Sequence, residues 1–250
     1  MALPEASELV IAAVMMFVGA TVLGTVGFGI GISTAPVLLL VLEPQTVVVT
    51  VNTVSLAVFV LIIRQTRGHL PGREMAPVIV AGLVGAPVGV LVLDSVSPTV
   101  LRIVIAALVV TLTIPAALGM RGPAARPRFT GVVVGFVVGA LLTGSGIGGP
   151  LVALHLLSRR WSSQAIRASL AFYFLAVEAT GVLGYAVTGL FTEERVGLIL
   201  VVTGPVILGF VLATAIGRKM NERLFRTSVV VVVLATSVMV LGREALRLGG

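Results

Sequence analysis

Two glycine-rich segments carry the residues best suited to hold a charged solute. They read Gly27-Phe28-Gly29-Ile30-Gly31-Ile32-Ser33-Thr34-Ala35-Pro36 and Gly144-Ser145-Gly146-Ile147-Gly148-Gly149-Pro150. Glycine costs a helix about 1 kcal/mol against alanine, so a helix is not expected to continue through either. A break exposes backbone N–H groups, and the half-helix that restarts after it, at Ser33 or Gly149, presents the positive end of its dipole. Such ends bind anions. Glycine used only for tight hairpin packing is the alternative, and the double occurrence favours the anion site. Gly144-x-Gly146-x-x-Gly149 also fits a dinucleotide fingerprint, but the strand and βαβ context are absent.

Other polar residues could complete such a site. Asn52, Thr53 and Ser55 fall near the start of one apolar span, and Ser169 and Tyr173 in the matching span of the second half. Ser and Thr in spans usually bond to their own backbone; Asn52 is costlier to bury and more informative. Arg167 is about one turn inside its span. It is expected either to snorkel to the interface or to clamp an anion with two N–H groups. Glu178 is near a span centre, where a charge costs about 2.5–3.5 kcal/mol and needs a reason. A proton-coupling role is one, and a neutral acid bonded to a neighbouring helix is another. His155 is expected to pack at an interface.

These residues sit in a chain built for lipid. Of 250 residues, 58% are hydrophobic and 11% charged, where a soluble domain has about 25% charged; the mean hydropathy is +1.17. Apolar runs of about 20 residues recur throughout, which predicts a polytopic helical membrane protein. The net charge of +7 is not read as nucleic-acid binding, because the basic residues cluster in short loops between spans. With no cysteine, thiol catalysis and disulfides are excluded; no metal cluster and no cofactor is expected. The start of the chain, Met1 to Glu8, is acidic and lacks a signal peptide's basic region.

The predicted order is a broken segment over 9–42, then spans over 46–63, 75–93 and 100–118. The second half repeats it: a broken segment over 129–157 and spans over 163–188, 196–216 and 227–241. Sequence repeats with layout: Gly27–Gly31 matches Gly144–Gly148, Thr53–Ala57 matches Arg167–Ala171, and Pro87 and Gly89 echo Pro205 and Gly209. The reading is one membrane domain of two repeats, 1–125 and 126–250.

Charge selects the topology. If each broken segment crosses once, the 17 Lys and Arg divide almost evenly between the two sides. If each turns back as a hairpin, Arg64, Arg67, Arg73, Arg121, Arg126, Arg128, Arg159, Arg160, Arg167, Arg218, Lys219, Arg223 and Arg226 share one side, 13 against 4. The positive-inside rule favours the hairpins and puts both termini outside. Each repeat is then a glycine-broken hairpin plus three transmembrane helices, the second repeat inverted. The two tips meet near the midplane, as in transporters built from inverted repeats.

With these motifs the chain resembles the sulfite exporter TauE/SafE family over essentially its whole length. The resemblance rests on Gly27–Pro36, its partner Gly144–Pro150, Arg167-Ala168-Ser169-Leu170 and the duplicated layout. It implies an inner-membrane permease for small anions, often sulfite or organosulfonates such as sulfoacetate. Ile30 and Ile32 stand where many members carry more glycine, so the half-sites need not be equivalent. The expectation is a secondary transporter, not an enzyme. Its substrate site comprises Gly27, Phe28, Gly29, Gly31, Ser33, Asn52, Thr53, Gly144, Ser145, Gly146, Gly148, Gly149 and Arg167, with Glu178 the coupling candidate. A channel-like facilitator or a permease for carboxylates is the alternative, and a nucleophile/base pair for an intramembrane enzyme does not stand out. The expected partners are a small anion, the lipid bilayer and possible further copies of the chain.

Overall fold

The computed structural model describes residues 5–117, 129–157, 159 and 161–216, with Val238, Val240, Gly242 and Leu246 beyond them. All regular structure among these is helical: α1 (Ala6–Val26), α2 (Ile30–Leu38), α3 (Pro44–Gln65), α4 (Gly72–Ser95), α5 (Pro98–Ala117), α6 (Phe129–Ser145), α7 (Gly149–Leu157), α8 (Ser163–Val187) and α9 (Glu193–Ile216). Five of them, α1, α3, α4, α8 and α9, are long and apolar enough to cross a membrane. Large exposed side chains such as Val80, Leu183 and Leu208 are apolar, as lipid-facing positions should be. The span expected over 227–241, the repeat boundary near 125 and the basic loops around Arg121–Arg128 and Arg218–Arg226 lie outside the described residues.

Both glycine segments turn the chain back. In the first hairpin Gly19 of α1 faces Ile30 and Thr34 of α2; in the second Gly131 of α6 faces His155 of α7, and Gly148 faces Val138 and Leu142. The half-helices α2 and α7 have nine residues each, about 13 Å at 1.5 Å per residue, under half of a bilayer core. The start of α2 at Ile30 corrects the expected Ser33: Gly29 takes the N-cap with φ 105°, and Ser33 already lies a turn inside.

Packing crosses between the halves. α4 packs chiefly on α6, α9 on α1, and α3 on α8. Asn52 meets Tyr185 and Phe59 meets Phe174, so α3 and α8 run antiparallel. Along the α4–α6 seam the close approaches are Gly82 to Gly139, Gly85 to Phe136 and Gly89 to Ala140. Small residues there bring the backbones together, and Thr143 Oγ1 donates to Ala86 O at 2.7 Å. The α1–α9 seam has the same device, Thr21 Oγ1 donating to Gly209 O at 3.2 Å.

The structural correspondence of the halves differs from the expected Gly27–Gly144 alignment. α1 ends on Gly27, whose N–H donates to Leu23 O at 2.8 Å, and α6 ends on Gly146, whose N–H donates to Leu142 O at 2.8 Å. Both glycines are left-handed, with φ 91° and 70°. A helix stop needs a left-handed residue at its end, so Gly27 pairs with Gly146. The register is two residues later than the glycine pattern suggests.

Candidate functional site

The two breaks meet. A Cβ on Gly31 would lie 1.9 Å from Gly146 O, and one on Gly149 would lie 2.7 Å from the Phe28 ring. Each break therefore lies against the opposite half-helix. Between them is a narrow cavity with about 20 Å³ of free volume, lined by Phe28–Ile32 and Gly146–Pro150, and by Phe59, Leu142, Phe174 and Glu178. Both half-helix N-termini form its wall. Their first N–H groups have no acceptor within the helix, and Pro150 removes one of them from α7.

Of the residues expected at the site, Phe28, Gly29, Gly31, Gly146, Gly148, Gly149 and Glu178 line this cavity. The others do not. Ser33 Oγ donates to Gly29 O at 2.7 Å, Thr53 Oγ1 to Val49 O at 2.7 Å and Ser145 Oγ to Leu141 O at 2.6 Å. Each hydroxyl thus closes on the preceding turn of its own chain. Gly144 packs against Gly89 in the α4–α6 seam.

Gly27, Asn52 and Arg167 support the breaks from outside the cavity. Arg167 is one turn into α8, and its Nη2 donates to Gly24 O at 2.8 Å, while its Cγ would lie 3.6 Å from a Cβ on Gly27. Gly24 O is a last-turn carbonyl of α1 without a helical partner. The equivalent carbonyl of α6, on Thr143, accepts the Tyr185 hydroxyl, and Asn52 Nδ2 donates to Leu142 O at 2.9 Å and to Tyr185 Oη at 2.8 Å. One helix, α8, therefore holds both breaks, Arg167 near its start and Tyr185 near its end.

Glu178 stands between them on α8. It is 2% exposed, and its Oε2 is buried with no hydrogen-bond partner. The expected alternative of an acid bonded to a neighbouring helix has no support at that oxygen. Asn52 Oδ1 is likewise buried and unpartnered, and would lie 3.9 Å from a Cβ on Gly146.

Sequence reasoning missed the aromatic wall. Phe59 and Phe174 stack with centroids 5.3 Å apart, joining α3 to α8 beneath the tips. It also missed Tyr185 and Thr143. Both are polar groups near the ends of apolar helices, Thr143 in α6 and Tyr185 in α8; a polar residue within an apolar run is the signal that singled out Asn52.

The outer ends of the half-helices are tied by ion pairs. Past α7, Arg159 Nη1 meets Glu74 Oε2 at 3.1 Å and its guanidinium lies 5.1 Å over the Trp161 ring. Past α2, Glu43 Oε2 meets Arg195 Nη2 at 3.7 Å. Glu74 and Arg195 both lie in the first turn of their helices, α4 and α9. The two latches thus occupy matching places with their charges exchanged. His155 lies 3.4 Å from Arg159 Nη2, in the first latch.

A family model described as Sulfite exporter TauE/SafE matches residues 11–240. No curated protein and no solved structure matches.

Proposed function

We propose, because the chain belongs to the sulfite exporter TauE/SafE family, that it is a secondary transporter exporting a small oxyanion, such as sulfite or an organosulfonate, across the bacterial inner membrane. The chain is an integral membrane protein of a transport family; the substrate, site and mechanism are our reading. One observation carries it: both half-helix N-termini open onto the same cavity where the glycine breaks meet. Two positive helix ends aimed at one space suit an anion.

The repeats 1–125 and 126–250 are then inverted, with both termini in the periplasm. The antiparallel α3–α8 pair and the exchange of partners between halves support this. So does the 13-to-4 division of positive charge. A cavity of about 20 Å³ has room for a water and not for an oxyanion. Transport therefore requires the tips to part, toward one face and then the other, with Glu178 as the coupling group. Gly27, Asn52 and Arg167 hold the tips; Ser33, Thr53, Gly144 and Ser145 belong to the hairpins that carry them.

The test is thermal stabilisation of the purified protein by sulfite, sulfate, thiosulfate, taurine and sulfoacetate, followed by flux in vesicles. Stabilisation by an anion, saturable flux and acceleration by substrate on the far side support a transporter. Flux that neither saturates nor exchanges supports the channel-like facilitator, and stabilisation by simple carboxylates alone favours that substrate class.

A further inference from the structure

We infer that the cavity between the breaks holds one negative charge at a time, either the Glu178 carboxylate or a singly charged substrate anion, so that each anion bound takes up one proton. This rests on the anion site proposed above and adds its charge class and coupling.

The positive charge available to the cavity is small. The ends of α2 and α7 contribute about half an elementary charge each, about one in all. Among the described lining residues none is Lys, Arg or His. The remainder of the wall is largely apolar: Phe28, Ile30, Ile32, Phe59, Leu142 and Phe174. Glu178 is on the same wall, buried, with Oε2 unpartnered. The helix ends can therefore compensate its carboxylate or a monoanion, and two negative charges in one narrow, largely apolar cavity would repel strongly.

Charges elsewhere do not relieve this. On the elements packed against α8 they are Arg64 on α3, Arg73, Glu74 and Asp94 on α4, and His155 on α7, and α6 has none. All lie toward helix ends, and none lines the cavity. On α8 itself, Arg167 is three turns away and bonded to Gly24 O. Tyr173 donates to Gly135 O, and Tyr185 is held by Asn52 and Thr143.

The exchange balances simply. A proton adds to the Glu178 carboxylate, the neutral acid leaves the helix ends free, and the anion takes them. Proton and monoanion then move together, the pair carries no net charge, and its outward movement runs down the anion's own gradient. A doubly charged oxyanion is disfavoured with the acid in either form.

The experiment measures affinity of the purified full chain for methanesulfonate, formate and sulfate between pH 5 and 8, with calorimetry in two buffers of different ionisation heat. The wild type is expected to lose monoanion affinity as pH rises, up to about tenfold per unit once Glu178 is ionised. It should take up about one proton per anion and bind sulfate at least about tenfold more weakly. Glu178→Gln should abolish both the pH dependence and the proton uptake, and bind monoanions more tightly than the wild type at pH 8. Wild-type affinity that is flat with pH, without proton uptake, overturns the inference while leaving the anion site standing. If Glu178→Gln does not fold, proton uptake by the wild type decides alone. Binding by neither protein of any anion at any pH overturns the site itself, and the inference with it.

Discussion

The first and second glycine breaks meet the same backbone demand with different chemistry. At the first, one guanidinium, Arg167, satisfies the freed carbonyl of Gly24 from a half-buried position one turn into α8. At the second, Tyr185 and Asn52, both fully buried and neutral, satisfy Thr143 and Leu142 and bond to each other. A buried network that is nearly complete resists rearrangement. A single charged bond near a helix end can exchange for water. The contrast predicts that the second break is the more rigid of the two and the first the more readily rearranged.

The largest separation is expected at the crossing itself. Gly31→Ala drives a methyl into the Gly146 carbonyl, which is backbone and cannot turn aside. Gly149→Ala meets the Phe28 ring, which can. Thermal unfolding should show a loss of about 3 kcal/mol or more for Gly31→Ala and about 1 kcal/mol for Gly149→Ala. Equal losses would mean that the crossing is not held by backbone contact.

Next are the left-handed stops. Gly27→Ala and Gly146→Ala should each cost about 1–2 kcal/mol, and each should reduce anion binding and flux in protein that still inserts. Gly204→Ala is the control. It lies inside α9 with open space around it, so it should be neutral or stabilising by up to about 1 kcal/mol. Normal substrate-induced stabilisation in both stop variants would make the breaks packing devices.

The polar supports should differ less in size and more in kind. Asn52→Leu breaks into a buried network and should cost about 1–3 kcal/mol. Arg167→Gln should cost less in stability yet change flux more, if the first tip is the mobile one. Flux falling more in Asn52→Leu than in Arg167→Gln would reverse the assignment of fixed and moving halves.

The smallest effects concern the latches. Arg159→Gln and Arg195→Gln remove partly exposed pairs and should change stability by less than about 1 kcal/mol each. Their signature is directional. Cysteines introduced into the cavity wall should become reachable from the cytoplasmic side in Arg159→Gln and from the periplasmic side in Arg195→Gln. The same change of labelling in both would show that the latches do not gate opposite faces.

The spans over 46–63, 75–93, 163–188 and 196–216, the turn at each glycine motif and the meeting of the breaks were legible because lipid makes their causes local: run length and glycine density. Two residues beyond the glycines, Glu178 and Phe28, were also legible, the first because a carboxylate inside a span is costly, the second because it sits between the break glycines. The repeat register was not. Glycine alternates at 27, 29 and 31 and at 144, 146 and 148, so the glycine pattern favours the frame two residues early, and only the left-handed stop fixes the true one. Ser33, Thr53 and Ser145 were attractive as polar groups near glycine, but a hydroxyl on a helix finds its nearest acceptor one turn back. Phe59 and Phe174 are set by the pairing of α3 with α8, a long-range contact that no local pattern encodes.

The exchanged pairing of helices has a consequence for how the chain is made. Thr21 and the Gly209 carbonyl it binds are 188 residues apart, so at about 5–20 residues per second the first hairpin waits roughly 10–40 seconds for its partner helix to be synthesised. Through that interval α1 has only lipid, or whatever the insertion machinery offers, against the face that will later receive α9. The α4 glycines wait more briefly, because α6 follows after a single intervening helix. Biogenesis is thus ordered by the seams, the glycine-rich one closing first and the α1–α9 one last. A ribosome stalled between residues 200 and 215, with α6 clear of the exit tunnel and α9 still inside it, should leave a nascent chain with α4 and α6 already crosslinkable and α1 still open.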